Sequence, residues 1–210
     1  MNTNQRRDVS MGFSDQKFPA GTHMCLIYDD DEERRKLIAK YLDAGLRERE
    51  KVAYFADTMS VDEVRDWLAG MGVKVPKDDQ LTIASAEKTY CPHGKFVPDE
   101  MMDGLRALYQ GSLDEGYAGA RASGEMSWAL RGIPGSERLI EYENLLNVVF
   151  ATYPIIGLCQ YDARRFDGAI IFDVLKVHPM MIVHGQVVKN PYYIRPEEFL
   201  RLRLLPPPGK

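Results

Sequence analysis

The chain has 210 residues, 45% of them hydrophobic and 28% charged, which places it among globular proteins able to build a full-sized core. Lysine and arginine total 27 against 31 aspartates and glutamates, a formal net charge of -4. That balance argues against a nucleic-acid-binding domain, whose affinity comes from clustered positive charge, so no direct nucleic-acid contact is expected and any DNA-binding region is expected on another chain. Residues 1–17 are polar and without periodicity, and read as a flexible N-terminal tail in which Met11 would serve as an alternative start.

The first predicted strand is MCLIY (24–28), a short apolar run of the buried-sheet kind. Asp29, Asp30 and Asp31 follow as N-cap candidates, and a helix is expected from about Glu32 to Glu48, with Leu37, Ile38, Tyr41, Leu42 and Leu46 on one stripe. KVAYFA (51–56) is the second strand. Ser60 with Glu63 three residues later is a capping-box pattern that opens the next helix, and Gly70 and Gly72 close it. QLTIAS (80–85) is the third strand, and a loop containing YCPHGKF (90–96) leads to a helix from about Pro98 to Glu115.

AGARASGEMSWAL (118–130) contains the fourth strand, and a helix is expected from about Ser136 to Phe150. IIGLCQY (155–161) is the fifth strand, and a short helix spans roughly Gly168 to Val177. MMIVHG (180–185) reads as a sixth strand with QVVKNPYY starting by pairing back on it, and Pro196 to Leu204 is the last helix. Residues 205–210, PPPGK with the leucine before them, read as a flexible C-terminal tail. Without repeats or linkers, residues 18–204 are expected to form one domain. The alternation implies an α/β fold, a mainly parallel sheet with helices on both faces.

In such a sheet ligands bind beyond the carboxyl ends of the strands. The rule selects Tyr28 and Asp29, Asp57, the Tyr90–Phe96 loop, Glu125 to Trp128, and Gln160 to Asp162. The loop after the first strand stands where a nucleotide-binding fold carries its phosphate cradle. A cradle needs glycines, then a lysine and a Ser or Thr. Here Asp29 to Glu33 are five consecutive carboxylates, which would repel a triphosphate, so this phosphate loop is degenerate and Asp30 to Glu33 serve to cap the helix.

At GTHMCLIYDDDEERRKLIAKYLDAGLREREKVAYFAD the chain resembles the MEDS (DcmR-type) sensory domains of methanogen and methylotroph signalling proteins. The resemblance continues through Tyr90 with His93-Gly94-Lys95-Phe96, GEMSWAL (124–130), Tyr142-Glu143, CQYD (159–162), His178-Pro179 and Asn190-Pro191-Tyr192-Tyr193, from about Phe18 to Leu200. The opening is also similar to RecA/KaiC-type ATPases stripped of the phosphate loop. The resemblance implies a sensor of simple hydrocarbon derivatives, acting in prokaryotic signal transduction or transcription regulation beside histidine-kinase-like or DNA-binding domains. No output domain is evident here, which leaves the downstream partner open.

The expected ligand-binding set is Tyr28, Tyr90, His93, Phe96, Glu125, Trp128, Gln160, Tyr161 and Asp162. Aromatic faces and a few polar groups suit a small organic ligand, and the Tyr90–Phe96 loop has the composition of a lid. Glu125 needs a partner if buried. Either it lines a pocket beside Trp128, or it is salt-bridged to Arg121 or Arg131 with Trp128 as ordinary core. Asp162 is a polar anchor or an ion-pair partner of Arg164 and Arg165. Cys91 and His93, completed by Cys159, His178 or His184, do not match a metal-ligand spacing, so no metal and no cofactor are expected. His178-Pro179 marks a helix end and Asn190-Pro191 a turn.

No catalytic constellation stands out, and the chain is read as a sensor and not an enzyme. Its expected partners are a small organic ligand and a signalling protein such as a histidine kinase or regulator, with a homodimer left open. The competing reading is an interaction module on an inactive ATPase-like fold, with no small ligand. A hydrolase with an unconventional site, using Glu125 with His93 or Asp162, ranks behind both. No apolar run reaches bilayer-spanning length, the N-terminus MNTNQRRDVS lacks a signal-peptide core, and Cys25, Cys91 and Cys159 form no CxxC pair, so a reducing cytoplasm without membrane contact is expected.

Overall fold

The computed structural model describes the backbone of residues 6–204 and the side chains of residues 6–201. Short strands β1 (Asp8–Ser10) and β2 (Lys17–Pro19) form an antiparallel hairpin that precedes the main sheet. The main sheet then collects β3 (His23–Tyr28), β4 (Lys51–Ala56), β5 (Leu81–Ser85), β6 (Ala120–Glu125), β7 (Ile156–Asp162), β8 (Met180–Val183) and β9 (Gln186–Lys189) in the order β5-β4-β6-β7-β3-β8-β9. All neighbours are parallel except β8 and β9. The helices are α1 (Asp31–Arg47), α2 (Val61–Gly70), α3 (Ala86–Tyr90), α4 (Pro98–Asp114), α5 (Leu139–Thr152), α6 (Gly168–Val177) and α7 (Pro196–Leu204).

Strand alternation divides the interior into two cores. Met24, Leu26, Tyr28, Tyr54 and Leu158 face α1 and α2. Cys25, Phe55, Ala122, Cys159 and Tyr161 face the opposite way, toward α4, α5 and α6. Helix starts follow their local chemistry. The Asp30 carboxylate accepts from Glu33 N at 2.8 Å, Ser60 and Glu63 cap each other reciprocally, and Pro98 stands in the first turn of α4.

The expected loose tail is corrected over residues 6–17. Val9 and Met11 are fully buried in the core under α1, and Arg121 Nη2 donates to the Ser10 carbonyl at 2.9 Å. Arg7 forms an ion pair with Glu50, itself held by Arg121 Nε at 2.6 Å. Two three-residue strands are too short to display a period, and their anchors are far along the chain. Helix α3, inside the stretch read as the approach to a loop, is likewise too short for periodicity; Ser85 caps it. The C-terminal tail expected at 205–210 lies outside the described residues.

Candidate functional site

A cleft of about 330 Å³ opens beyond the carboxyl ends of β3 and β8, where the parallel-sheet rule directs attention. Cys25, Ile27, Leu175, Met181 and Ile182 give it an apolar floor and wall. Asp29, Asp30 and Glu33 form a carboxylate rim, and His184-Gly185, the β8–β9 turn with both residues at positive φ, closes the far side. Tyr28 and Arg34 complete the lining, with the Arg34 guanidinium 5.0 Å from the centre of the Tyr28 ring. Burial, opposed by Arg34, pushes the Tyr28 hydroxyl up to about 12, so it is a hydrogen-bond donor at neutral pH.

Behind the cleft Arg34 enters a buried network on the α1 face of the sheet. Its Nη1 donates to Glu125 Oε1 at 2.9 Å and to Gln160 Oε1 at 3.2 Å, and Gln160 Nε2 donates to Ser123 Oγ at 2.9 Å. Glu125 also accepts from Tyr54 Oη at 2.5 Å and from the backbone N–H of Asp57 at 3.0 Å and Thr58 at 2.8 Å. Burial alone would raise this carboxyl, but the Arg34 charge and the donated hydrogen bonds hold it below the usual carboxylate range. The partner of Glu125 is thus Arg34, and neither Arg121 nor Arg131. Arg121 is taken by Glu50, at the opposite end of β6, and Arg131 forks onto Asp57 and reaches Glu87. Arg34 comes from α1, 91 positions away, beyond any local pairing rule.

Of the nine expected ligand residues, Tyr28 lines this cleft. Tyr90, Phe96 and Trp128 are brought together elsewhere, as a packed aromatic core with Tyr142: Tyr90 stacks on Trp128 at 4.8 Å, and Phe96 lies 4.8 Å from Trp128 and 5.4 Å from Tyr142. The space beside them is about 20 Å³, room for roughly one water. Gly124 is needed here, because a Cβ would stand 2.3 Å from the Tyr90 hydroxyl. His93 is exposed on the loop between α3 and α4. Asp162 closes β7 by accepting from Arg164 Nε and Nη2, each at 2.8 Å, and Arg164 extends to Asp31 at 3.0 Å.

Tyr161 points to the other face, where its Oη donates to Glu143 Oε1 at 2.5 Å. Glu143 Oε2 is the hub of a cluster with His23 Nε2 at 3.2 Å, His178 Nε2 at 3.3 Å and Cys159 Sγ at 3.3 Å. All four side chains are buried and their ligand atoms lie within 4.8 Å of one another. Burial would raise the Glu143 carboxyl, but the two imidazoles against it hold it far below the usual range. Burial and the neighbouring His178 push His23 down, toward the neutral form. Cys159 and His178 were considered as completions of a Cys91–His93 pair; the structure joins them instead to His23 and Glu143, while Cys91 and His93 lie apart from this cluster.

Sequence reading missed Arg34, His23 and the role of Glu143. One signal was available. Glu143 falls at helical spacing among Leu139, Leu146 and Phe150, a carboxylate on the apolar stripe of α5.

The model of the MEthanogen/methylotroph, DcmR Sensory domain (MEDS) matches residues 22–179. The transcriptional repressor DcmR of Methylorubrum extorquens (strain DSM 6343 / CIP 106787 / DM4) is 29% identical over 160 residues, covering 74% of this chain and 57% of that protein. The chain therefore spans a little over half the length of this curated relative. Among solved structures, a KaiC-like protein of Pyrococcus horikoshii OT3 superposes with a TM-score of 0.61 at 15% identity, covering 84% of this chain and 79% of that one. The flagellar accessory protein FlaH of Methanocaldococcus jannaschii also gives 0.61, at 11% identity, with 86% and 83% covered. These likenesses establish a RecA/KaiC-like fold. Among the described residues no helix is long and apolar enough to cross a membrane.

Proposed function

Because this chain belongs to the MEDS family of sensory domains, we propose that it is a non-catalytic sensor that takes a small, uncharged organic molecule into the cleft above β3 and β8. The observation that carries this reading is the cleft's make-up, an apolar floor beneath a rim of carboxylates. Its 330 Å³ falls at the lower end of small-molecule sites. An anion would meet Asp29, Asp30 and Glu33, and the N-terminus of α1 is already satisfied by the Asp30 side chain. A simple hydrocarbon derivative fits these terms. Its carbon skeleton would be buried against Ile27, Leu175 and Met181, and its one polar group would meet Tyr28 or Arg34.

Arg34 supplies a route outward. It touches the cleft and also holds Glu125, whose other oxygen anchors the backbone N–H groups of Asp57 and Thr58 at the entry to α2. An occupant that binds two Arg34 positions unequally shifts the population between them, and with it the loop before α2. The regulatory character of DcmR supports a signalling partner, a histidine kinase or a regulator, as the receiver. Support for the non-catalytic part comes from Glu125. Its oxygens already accept from Arg34, Tyr54, Asp57 and Thr58, so the carboxylate is not available as a general base.

A thermal-shift panel of small alcohols, ketones and halogenated alkanes tests the reading. Hits are expected to disappear in Met181→Trp, which fills the cleft, and to survive Trp128→Phe. Hits lost only with Trp128→Phe would move the site to the aromatic core. A panel without hits would favour a ligand-free interaction module, the reading favoured by the close packing of Tyr90, Phe96 and Trp128.

A further inference from the structure

The cluster around Glu143 is built on a pattern of donors and acceptors that a carboxylate alone does not explain. His178 Nδ1 lies 2.8 Å from the Val174 carbonyl, an atom that only accepts, so Nδ1 carries the proton. His23 Nδ1 lies 3.0 Å from Asn147 Oδ1. The orientation of that amide is fixed because Asn147 Nδ2 donates to the carbonyls of Val177 at 2.7 Å and Glu143 at 3.2 Å. His23 Nδ1 is therefore also the protonated nitrogen. In the neutral rings each Nε2 is left with a lone pair, and both turn toward one carboxylate oxygen and one sulfur.

Lone pairs facing an anion in a dry interior repel unless a positive charge lies among them. That charge is either a proton on an imidazole, pairing it with Glu143, or a bound ion; His178 Nε2, buried and 3.3 Å from Glu143 Oε2, lacks the hydrogen bond that a proton there would make, which favours the ion. The spacing suits an ion. Bonds of about 2.0–2.3 Å in a tetrahedron separate neighbouring ligand atoms by about 3.3–3.8 Å. Four of the six separations are close to this, 3.2, 3.3 and 3.3 Å from Glu143 Oε2 to the other three and 3.6 Å from Cys159 Sγ to His23 Nε2, and the remaining two, both to His178 Nε2, are within 4.8 Å. The surroundings match too. Each histidine gives its second nitrogen's proton to a fixed acceptor and Tyr161 holds the free carboxylate oxygen, the outer contacts that orient metal ligands.

We propose that His23, Glu143, Cys159 and His178 form a closed, four-coordinate site for a divalent ion of the zinc type. Two nitrogens, one oxygen and one sulfur suit such a borderline ion better than a hard one. With four protein ligands and full burial the site is structural, tying β3, β7, α5 and the end of α6 together. Binding forms the metal–sulfur bond as the Cys159 S–H bond breaks, and that proton leaves to solvent, as does any proton held on a histidine Nε2 that becomes a ligand. The site does not depend on what the cleft binds.

The experiment loads the chelator-treated chain with Zn2+ and, separately, with Co2+. One equivalent per chain is expected, together with a raised Tm, release of at least one proton, and thiolate-to-cobalt charge transfer with the intense visible bands of tetrahedral Co2+. Cys159→Ser is expected to abolish the charge-transfer band. Should that variant or His178→Asn fail to fold, Asn147→Ala keeps all four ligands and is expected to weaken zinc affinity by about 10–100-fold. No uptake of either ion by the folded wild-type chain would overturn the proposal, as would uptake with neither the thiolate band nor any loss in Asn147→Ala.

Discussion

Of the buried glutamates, Glu125 and Glu143 lie on opposite faces of one sheet, and they are satisfied in different ways. Glu125, on the α1 face, has its acceptor capacity filled by a guanidinium, a phenol and two backbone N–H groups. Glu143, on the α5 face, has one oxygen held by Tyr161 and the other surrounded by two imidazole nitrogens and a sulfur. The first carboxylate has its acceptors filled, in a network that joins the cleft wall to the loop before α2. The second is a set of ligands arranged for something positive. A buried carboxylate is thus informative only once its partners are counted as donors or as further acceptors.

The comparison breaks most easily at Arg34. Arg34→Ala leaves Glu125 buried without its charge partner and is expected to cost about 3–5 kcal/mol in denaturant unfolding. A loss near zero would mean Glu125 is not ionised in the folded chain. Trp128→Ala, in the aromatic core and hydrogen-bonded to neither carboxylate, is expected to cost a similar 3–5 kcal/mol by emptying packed volume, but with unchanged cobalt spectra. A spectral change there would couple the aromatic core to the Glu143 site.

Glu125→Gln sharpens the contrast at smaller scale. It keeps the shape, removes the charge, and is expected to cost about 1–3 kcal/mol at neutral pH. Since the folded Glu125 value lies below its unfolded value of about 4.3, its contribution is complete above that value and is lost as pH falls through the folded one. The stability gap between wild type and Glu125→Gln should be flat above about pH 5 and close in acid. A gap that widens in acid contradicts the assignment. The smallest effect is expected at the rim, where Asp30→Ala removes the α1 cap for about 1 kcal/mol and makes the cleft more tolerant of anions in a ligand panel.

How much of this was legible in the residues depended on the distance over which each signal acts. The α1 and α2 caps, the strand runs and Pro98 at the start of α4 are local, and they place the elements and the parallel sheet. The acidic loop after β3 is local as well, and it now forms the rim of the cleft. The N-terminal hairpin was hidden because Arg7, Val9 and Met11 are fixed by Glu50, Arg121 and α1. Tyr90, Phe96 and Trp128 were grouped by residue type and do meet, but against one another. Arg34 reaches Glu125 across 91 positions, and the Glu143 cluster draws on β3, α5, β7 and the end of α6. Ligand-spacing templates read neighbours in a short window, and no window holds both His23 and His178.

The contrast between the two carboxylates is tested most directly by anomalous X-ray scattering at the zinc edge from crystals of zinc-loaded protein. The account predicts one strong peak per chain, within bonding distance of His23 Nε2, Glu143 Oε2, Cys159 Sγ and His178 Nε2, and none at Glu125. A peak at Glu125 or on the cleft rim, with the Glu143 cluster bare, would contradict it.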